Sequence, residues 1–318
     1  MIAASTRARL GELALPVVMA ALCVGFALAE PAFLSADNLR GILSQVALTG
    51  IMAVFMTFVI MTGGIDLSIG PVMALGGLAA YAVFHAADLP IVLAVLAGLG
   101  AGMGAGALNG AAIAGLRLPP IIVTLAMLSI VRGFALLVGG PDLHQIRGEP
   151  GYTWLGNARV LGLPPAVWTF AGLAALMYWV QQRTSFGVMV SSIGDNARAV
   201  HLSGRAVGRT VFAIYVLSGL GAAAAGMLLS SQVHTASATY GEFGTELDVI
   251  AAVVLGGTSL MGGRGSVLRT VFGVLLLGIV NNGLNILNVP VDQQLMVKGA
   301  IIVAALALSE WAQGSRRA

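Results

Sequence analysis

Charge is what this sequence has least of. Only 9% of its 318 residues are Asp, Glu, Lys or Arg, while 58% are hydrophobic; a soluble globular chain carries about 25% charged residues. Mean hydropathy is +0.94, so a water-soluble fold would lack the polar side chains to clothe its surface, and lipid must serve as the solvent. Cysteine is nearly missing too. Cys23 is the only one and sits in an apolar run, which excludes a disulfide framework and a thiolate metal site. His85, His144, His201 and His234 share no ligand spacing with one another or with carboxylates; they read as interfacial or loop residues, not metal ligands. Lysine occurs once, as Lys298. The formal charge of +3 therefore comes from dispersed arginines, and a nucleic-acid partner is excluded.

Long hydrophilic stretches are also absent: none exceeds about 30 residues, too short for a soluble domain. No G-x-x-x-x-G-K-[ST] run occurs, and Lys298 follows no glycine loop, so this chain does not cradle a nucleotide phosphate itself. No nucleophile, base and orienting group converge by sequence, which argues against an enzyme.

What is present is a series of apolar runs bounded by charge, Pro or Asn, and a helix needs about 20 such residues to cross the hydrocarbon. Eight are clear: Leu13 to Ala29, Ile42 to Thr62, Leu67 to Phe84, Ile91 to Ala114, Pro120 to Gly139, Pro164 to Val180, Val211 to Leu229 and Val267 to Leu287. Two are weaker, Leu247 to Met261, broken by glycines, and Gln294 to Leu308, which contains Lys298. The first run follows Arg7 and Arg9 and has small residues at Ala27 and Ala29; it reads as an uncleaved anchor, with a cleaved signal peptide as the alternative. The expected fold is all-α: a polytopic membrane protein of about ten transmembrane helices, forming a single membrane domain over residues 1–318.

Loop charge tests that count, because Lys and Arg accumulate on the cytoplasmic side. With ten spans and a cytoplasmic amino terminus, the inner side receives Arg7, Arg9, Arg117, Arg183, Arg198, Arg205, Arg209, Arg264, Arg269, Arg316 and Arg317, eleven of the sixteen basic residues. The outer side receives Arg40, Arg147 and Arg159, together with Glu30, Asp37, Asp88, Asp142, Glu149, Glu242, Glu246 and Asp292. Both termini are expected in the cytoplasm.

Within the spans, Ala94, Gly98, Gly102, Gly106, Gly110 and Ala114 place a small residue at every fourth position, a ridge that lets another backbone come close. Packing is the favoured reading of this ridge over a direct role in permeation. Gly63-Gly64-Ile65-Asp66-Leu67-Ser68-Ile69-Gly70 and Gly256-Gly257-Thr258-Ser259-Leu260-Met261-Gly262-Gly263 share Gly, Gly, Leu and Gly in register. They read either as glycine-interrupted helices of a parallel internal repeat or as two ordinary tight turns. Asp66, Arg132, Asp248 and Lys298 are ionisable groups inside or beside spans, where charge is costly and commonly functional. Asp66 and Asp248 lie near span ends, which argues against an ion-coupled secondary transporter. The Asn281, Asn282 and Asn285 cluster offers neutral donors and acceptors suited to hydroxyl groups, with interhelical hydrogen bonding as its structural alternative. Asp66, Ser68, Arg132, Asn281, Asn282 and Asn285 are the candidates for a translocation path.

The longest inner loop, Gln181 to Arg209, holds Ser185-Phe186-Gly187 and the run Gly194-Asp195-Asn196-Ala197-Arg198-Ala199-Val200-His201-Leu202-Ser203-Gly204. Asp195 is expected to cap a short helix and Gly204 to end it. Ala197, Val200 and Leu202 would then meet water beside one another, the mark of a protein contact.

These segments, with Thr62 to Gly70, Leu118-Pro119-Pro120-Ile121-Ile122-Val123-Thr124-Leu125 and Val254 to Ser266, resemble the membrane permeases of bacterial ABC importers for ribose, xylose, arabinose and related monosaccharides. The resemblance covers nearly the whole chain. It implies an inner-membrane homodimer or heterodimer of permeases, a periplasmic binding protein that delivers the sugar, and a separate ATPase that uses ATP and Mg; no cofactor belongs to this chain. It also implies a coupling loop over about 182–209 that engages the ATPase through Gly187, Gly194, Asp195, Asn196, Ala197, Arg198, Val200, Leu202, Ser203 and Gly204. Two residues depart from the family pattern: Arg205, where an aliphatic residue is expected, and Val188, where a basic one is common. Permeases for branched-chain amino acids or nucleosides share the architecture and are the nearest alternative.

Overall fold

A computed structural model describes residues 2–87, 90–147, 150–241 and 244–314. Asp88, Glu149, Glu242, Arg316 and Arg317, which enter the charge argument, lie outside them. The described chain is mostly helical: α1 (Ile2–Ala29), α2 (Ala36–Met61), α3 (Ile69–Ala87), α4 (Ile91–Gly110), α5 (Pro120–Gly139), α6 (Pro150–Asn157), α7 (Pro165–Arg183), α8 (Ser185–Leu202), α9 (Val207–Val233), α10 (Thr245–Leu255), α11 (Val267–Ile286) and α12 (Val291–Gly314).

Local chemistry sets the boundaries. Ser35 opens α2 by accepting a hydrogen bond from the Asn38 amide at 3.3 Å, with Asp37 in the first turn, where negative charge suits the helix dipole. Pro120 and Pro165 start α5 and α7 at the one position where a missing N–H costs nothing. A π-helical turn, Ala111–Gly115, prolongs α4.

Every residue from Gly50 to Met61 is buried, so α2 is covered on all sides rather than along one stripe. It packs against α7, α9, α10 and α11, and Thr57 meets Thr270 of α11 through their hydroxyls at 2.8 Å. The glycine ridge of α4 lies on α9, not on a cavity. A Cβ on Gly102 would overlap Gly219 and Ala223, one on Gly106 would overlap the Tyr215 backbone, and one on Gly110 would fall 2.9 Å from the Phe212 Cα. Gly219 repeats the condition in reverse against Gly102.

At one end of α9 two short strands pair antiparallel, β1 (His144–Gln145) with β2 (Thr235–Ala236). Helix α6 lies against the same end of α9. Buried Tyr152 donates its hydroxyl to the Met227 carbonyl at 3.1 Å, and Ser231 donates to the Tyr152 carbonyl at 2.6 Å.

Among the described residues, five helices are long and apolar enough to cross a bilayer: α2, α4 with its π turn, α5, α9 and α11. The apolar parts of α1 (Leu15–Ala29) and α3 (Ile69–His85) are shorter. Helix α10, with 11 residues, extends about 16 Å, roughly half the hydrocarbon thickness.

The two glycine octapeptides end their helices in the same way, but one residue out of the sequence register. Gly63 (φ +80°) donates to the Ile60 carbonyl and Gly64 to Val59; Gly257 (φ +81°) donates to Val254 and Thr258 to Val253. Gly63 therefore corresponds to Gly257, not Gly256, as the left-handed residue of a Schellman cap. The octapeptides also touch: a Cβ on Gly262 would lie 3.0 Å from the Gly63 amide nitrogen.

Gly102→Ala and Gly104→Ala should separate packing from propensity. Gly104 is exposed with nothing within 4 Å of an added Cβ, so its alanine variant should unfold at or above the wild-type temperature in detergent. Gly102→Ala should be destabilised by about 1–3 kcal/mol, the usual cost of overpacking.

Candidate functional site

The loop after α7 is an extension of helix, not irregular chain. α8 is broken at Asn196, whose backbone is extended (φ −162°, ψ 88°). Its side-chain oxygen accepts from the Ala199 amide at 3.0 Å. Asn196 is thus the N-cap of a short helix over 197–202, which corrects the expectation that Asp195 would hold that position. The physical reason is that Asp195 is occupied elsewhere: its carboxylate lies on the backbone at Gly263, where a Cβ would overlap Oδ1. Gly204 (φ +78°) ends the helix as expected, donating to the His201 carbonyl at 3.0 Å. Asn196, Ala197, Arg198, Ser203 and Gly204 are exposed, Leu202 is 78% exposed, and Val200 is half-buried.

Beneath this exposed helix, three backbones meet. The Gly263 amide donates to the Met61 carbonyl at the end of α2 (2.8 Å), and Ser191 of α8 donates to the Gly263 carbonyl (2.5 Å). Gly194 has no room for a side chain, because a Cβ there would overlap both Met61 O and Gly263 N. Buried Gln181 at the end of α7 ties the same junction together. Its amide donates to the Gly265 carbonyl at 2.9 Å, and its oxygen accepts from the Val267 amide at 3.0 Å. Gly187 admits α8 directly onto the Gln181 backbone. Neither Gln181 nor Ser191 stood out in the sequence, since nothing in composition marks a polar residue that serves another segment's backbone.

Asp66 and Ser68 are both buried in the connection from α2 to α3. Asp66 accepts from the Ser68 amide (3.0 Å), the Ser68 hydroxyl (2.6 Å) and the Ser218 hydroxyl of α9 (2.8 Å). Ser68 in turn accepts from Asn109 of α4 at 2.9 Å. The network seats the start of α3 on α4 and α9. Arg132 of α5 donates to the carbonyls of Ala238, Tyr240 (2.9 Å) and Gly241 (3.0 Å), in the segment leading to α10.

The asparagines of α11 divide. Asn282 exchanges two amide hydrogen bonds with Asn38 of α2, at 2.8 and 2.9 Å. Asn281 and Asn285 line a cavity of about 120 Å³ with Gln45 and Thr49 of α2, Asp248 of α10, and Gln294 and Lys298 of α12. Lys298 and Asp248 form an ion pair at 2.9 Å across it. The separate oddities of a sole lysine in a weak span and a carboxylate at a span end are one feature in space; their spacing of 50 residues hides the pairing from sequence. Among the described residues, no group of three or more His, Cys, Asp or Glu could hold a metal.

A helical bundle with several helices long and apolar enough to cross a bilayer is the build of a polytopic membrane protein. Residues 38–306 match the family described as branched-chain amino acid transport system / permease component, and the chain belongs to it. It is 42% identical over 281 residues to the ribose import permease protein RbsC of Bacillus subtilis (strain 168), covering 88% of this chain and 86% of that one. The Escherichia coli (strain K12) ribose import permease protein RbsC is 38% identical over 280 residues, 87% of each chain. The L-arabinose ABC transporter permease protein AraH of Azospirillum brasilense is 34% identical over 302 residues, 95% of this chain and 88% of that one. No solved structure matches the chain.

Asp66→Ala would leave three donors, the Ser68 amide and the Ser68 and Ser218 hydroxyls, without their acceptor. A destabilisation of about 1–3 kcal/mol per orphaned buried group is expected, read as a lowered unfolding midpoint in detergent; an unchanged midpoint would show that the network does not hold α3.

Proposed function

We propose that the chain is the permease subunit of an ATP-binding-cassette importer, and that it translocates a small monosaccharide delivered by a periplasmic binding protein. The observation that carries this is the identity to ribose and arabinose permeases over 87–95% of the chain. The exposed helix over 197–202 is the element for engaging an ATPase, through Ala197, Arg198, Val200 and Leu202, with Asn196 capping it and Gly187, Gly194 and Asp195 seating it.

In this reading α1, α2, α3, α4, α5, α7, α9, α11 and α12 cross the inner membrane, and α10 with the glycine turn that continues it to Met261 makes a tenth crossing; both termini are cytoplasmic, in one permease domain that pairs with a second copy or a paralogue. Spatial neighbours support the assignment of sides. The segments that the ten-span topology puts inside, 62–68, 181–206 and 256–266, touch one another. Those placed outside, β1, α6 and β2, gather at the opposite end of α9. ATP binding would close the ATPase dimer, move the coupling helices as rigid bodies and switch the side to which the shared path opens. Asn281 and Asn285 are the candidates for that path, while Asp66, Ser68, Arg132 and Asn282 hold the bundle that surrounds it.

The family description favours one competing substrate, a branched-chain amino acid. The α11 cavity is lined by Gln45, Thr49, Asn281, Asn285, Gln294 and the Asp248–Lys298 pair, with Val46, Val274 and Leu277 also present; this mostly polar lining suits hydroxyl groups better than a wholly aliphatic side chain. Proteoliposomes holding the permease, its ATPase and its binding protein should take up ribose or arabinose with ATP, and not leucine. Ala197→Asp and Val200→Asp should lower that uptake at least tenfold, about 1.4 kcal/mol in coupling, with the permease still present in the membrane. Uptake by the purified chain reconstituted without an ATPase, or termini found on opposite faces by reporter fusions, would overturn the assignment.

A further inference from the structure

A second cavity, of about 480 Å³, lies where α1, the end of α10 and the start of α11 come together. Further along the same pair of helices α1 and α11 touch closely, and a Cβ on Gly283 would overlap the Phe26 ring. The cavity opens beside Pro16, which stands inside α1 and removes one of its intrahelical hydrogen bonds. Its lining divides by chemistry. Leu15, Leu255, Leu268 and Phe272 are apolar, Arg269 and Ser266 are polar, and the turn at Gly256 and Gly257 completes the wall.

Arg269 is exposed, and among the described residues it has no ion pair and its guanidinium makes no hydrogen bond. Its Nη1 lies 3.8 Å from where a Cβ on Gly257 would stand, at the C-terminal end of α10. That end suits a cation, yet it leaves the whole fork of N–H donors unspent. Ser266 accepts from the Arg269 amide at 3.4 Å, and its own hydroxyl proton has no acceptor among the described residues. No carboxylate lines the cavity among them either. The lining thus asks for an anion with several acceptor oxygens, and a phosphate matches an arginine fork best. A free phosphate would use the polar side alone. A phospholipid uses both sides, since its acyl chain has Leu268 and Phe272 to lie against, and the volume suits a headgroup with the first part of one chain.

We propose that this cavity is a binding site for an anionic phospholipid of the inner leaflet, its phosphate held by Arg269 and Ser266 and one acyl chain laid against Leu15, Leu268 and Phe272. The bound lipid joins α1 to the turn that follows α10. The proposal rests on the topology of the import reading, which puts the start of α11 at the cytoplasmic face, where anionic lipid and basic pockets between helices meet.

The test purifies the complete importer from an equal mixture of phosphatidylglycerol and phosphatidylcholine and counts the retained lipids by native mass spectrometry. The wild type should retain phosphatidylglycerol about fivefold over phosphatidylcholine, the worth of one arginine at an anionic headgroup. Arg269→Gln should bring that ratio close to parity. Leu268→Glu, which sets a carboxylate beside Arg269, should do the same with the arginine still in place, and it serves where the first variant is not recovered. Arg264→Gln, exposed and outside the cavity, should keep the wild-type ratio; an equal fall there would make the preference a property of the whole basic face and overturn the site. A ratio unmoved by the cavity variants would also overturn it. So would release of the lipid by excess inorganic phosphate, which would make the site one for the free anion. A preference that emerges only in Glu12→Gln would overturn it as well, because Glu12, four residues before Pro16, would then be the arginine's own partner. Retention is read whether or not sugar is taken up, so failure here leaves the import reading standing, and a complex that holds the lipid but imports no monosaccharide removes the import reading alone.

Discussion

Lipid tails are as apolar as leucine, so helices in a bilayer gain little by hiding leucine from their surroundings. They are held by close packing of backbones and by hydrogen bonds. This constraint governs the whole chain. Helices α4 and α9 approach until Gly102 and Gly219 leave no space for a side chain on either. The same device recurs where α8 meets the turn at Gly263 and the end of α2, with Gly194 between them. Glycine here costs helix propensity, about 1 kcal/mol against alanine, and the loss is offset by backbone proximity that no other residue permits.

Irregular backbone inside such a bundle brings a second requirement, because every bare N–H and C=O must find a partner in the protein. Polar and ionisable side chains meet it. Arg132 supplies donors to carbonyls at Ala238, Tyr240 and Gly241, just where the chain has left helix. Asp66 supplies acceptors for the turn that begins α3. Gln181 does both for the entry into α11. In each case a polar side chain from one element completes the backbone of another, so these residues fix how loops are seated as well as which helices touch.

Much of this architecture was legible in the sequence. The membrane class followed from hydropathy, and the ridge from Ala94 to Ala114 announced a close helix contact by its four-residue spacing, which the structure assigns to α9. The short helix between Asp195 and Gly204 was visible too. Its cap was misplaced by one residue, because Asp and Asn are equally good caps and only the tertiary contact of Asp195 with Gly263 separates them. The glycine octapeptides were aligned one position out for a similar reason: letters matched at Gly63 and Gly256, whereas backbone geometry matches Gly63 to Gly257. The ion pair of Asp248 with Lys298 was beyond reach, since pairing across 50 residues depends on how α12 lies against α10.

Helix α10 shows what these constraints make possible together. It is too short to span the hydrocarbon, and both its ends are committed. Its first turn carries Asp248 to the polar cavity. Its last turn leads through the cap at Gly257 to the turn at Gly262 and Gly263, which lies on Gly194 and is hydrogen-bonded by Ser191. Contacts this tight leave no slack in which a displacement of α8 could be absorbed. In the proposed importer, a push on the exposed helix over 197–202 would be borne by the Gly263 turn. From there it would pass to α10 along its axis and to α11 at Val267, whose amide is held by Gln181. The two helices that receive it are the two that bring Asp248 and Asn281 to the cavity. In an importer driven by an ATPase docked on that exposed helix, this is the short mechanical route from the site of docking to the groups that would face the cargo.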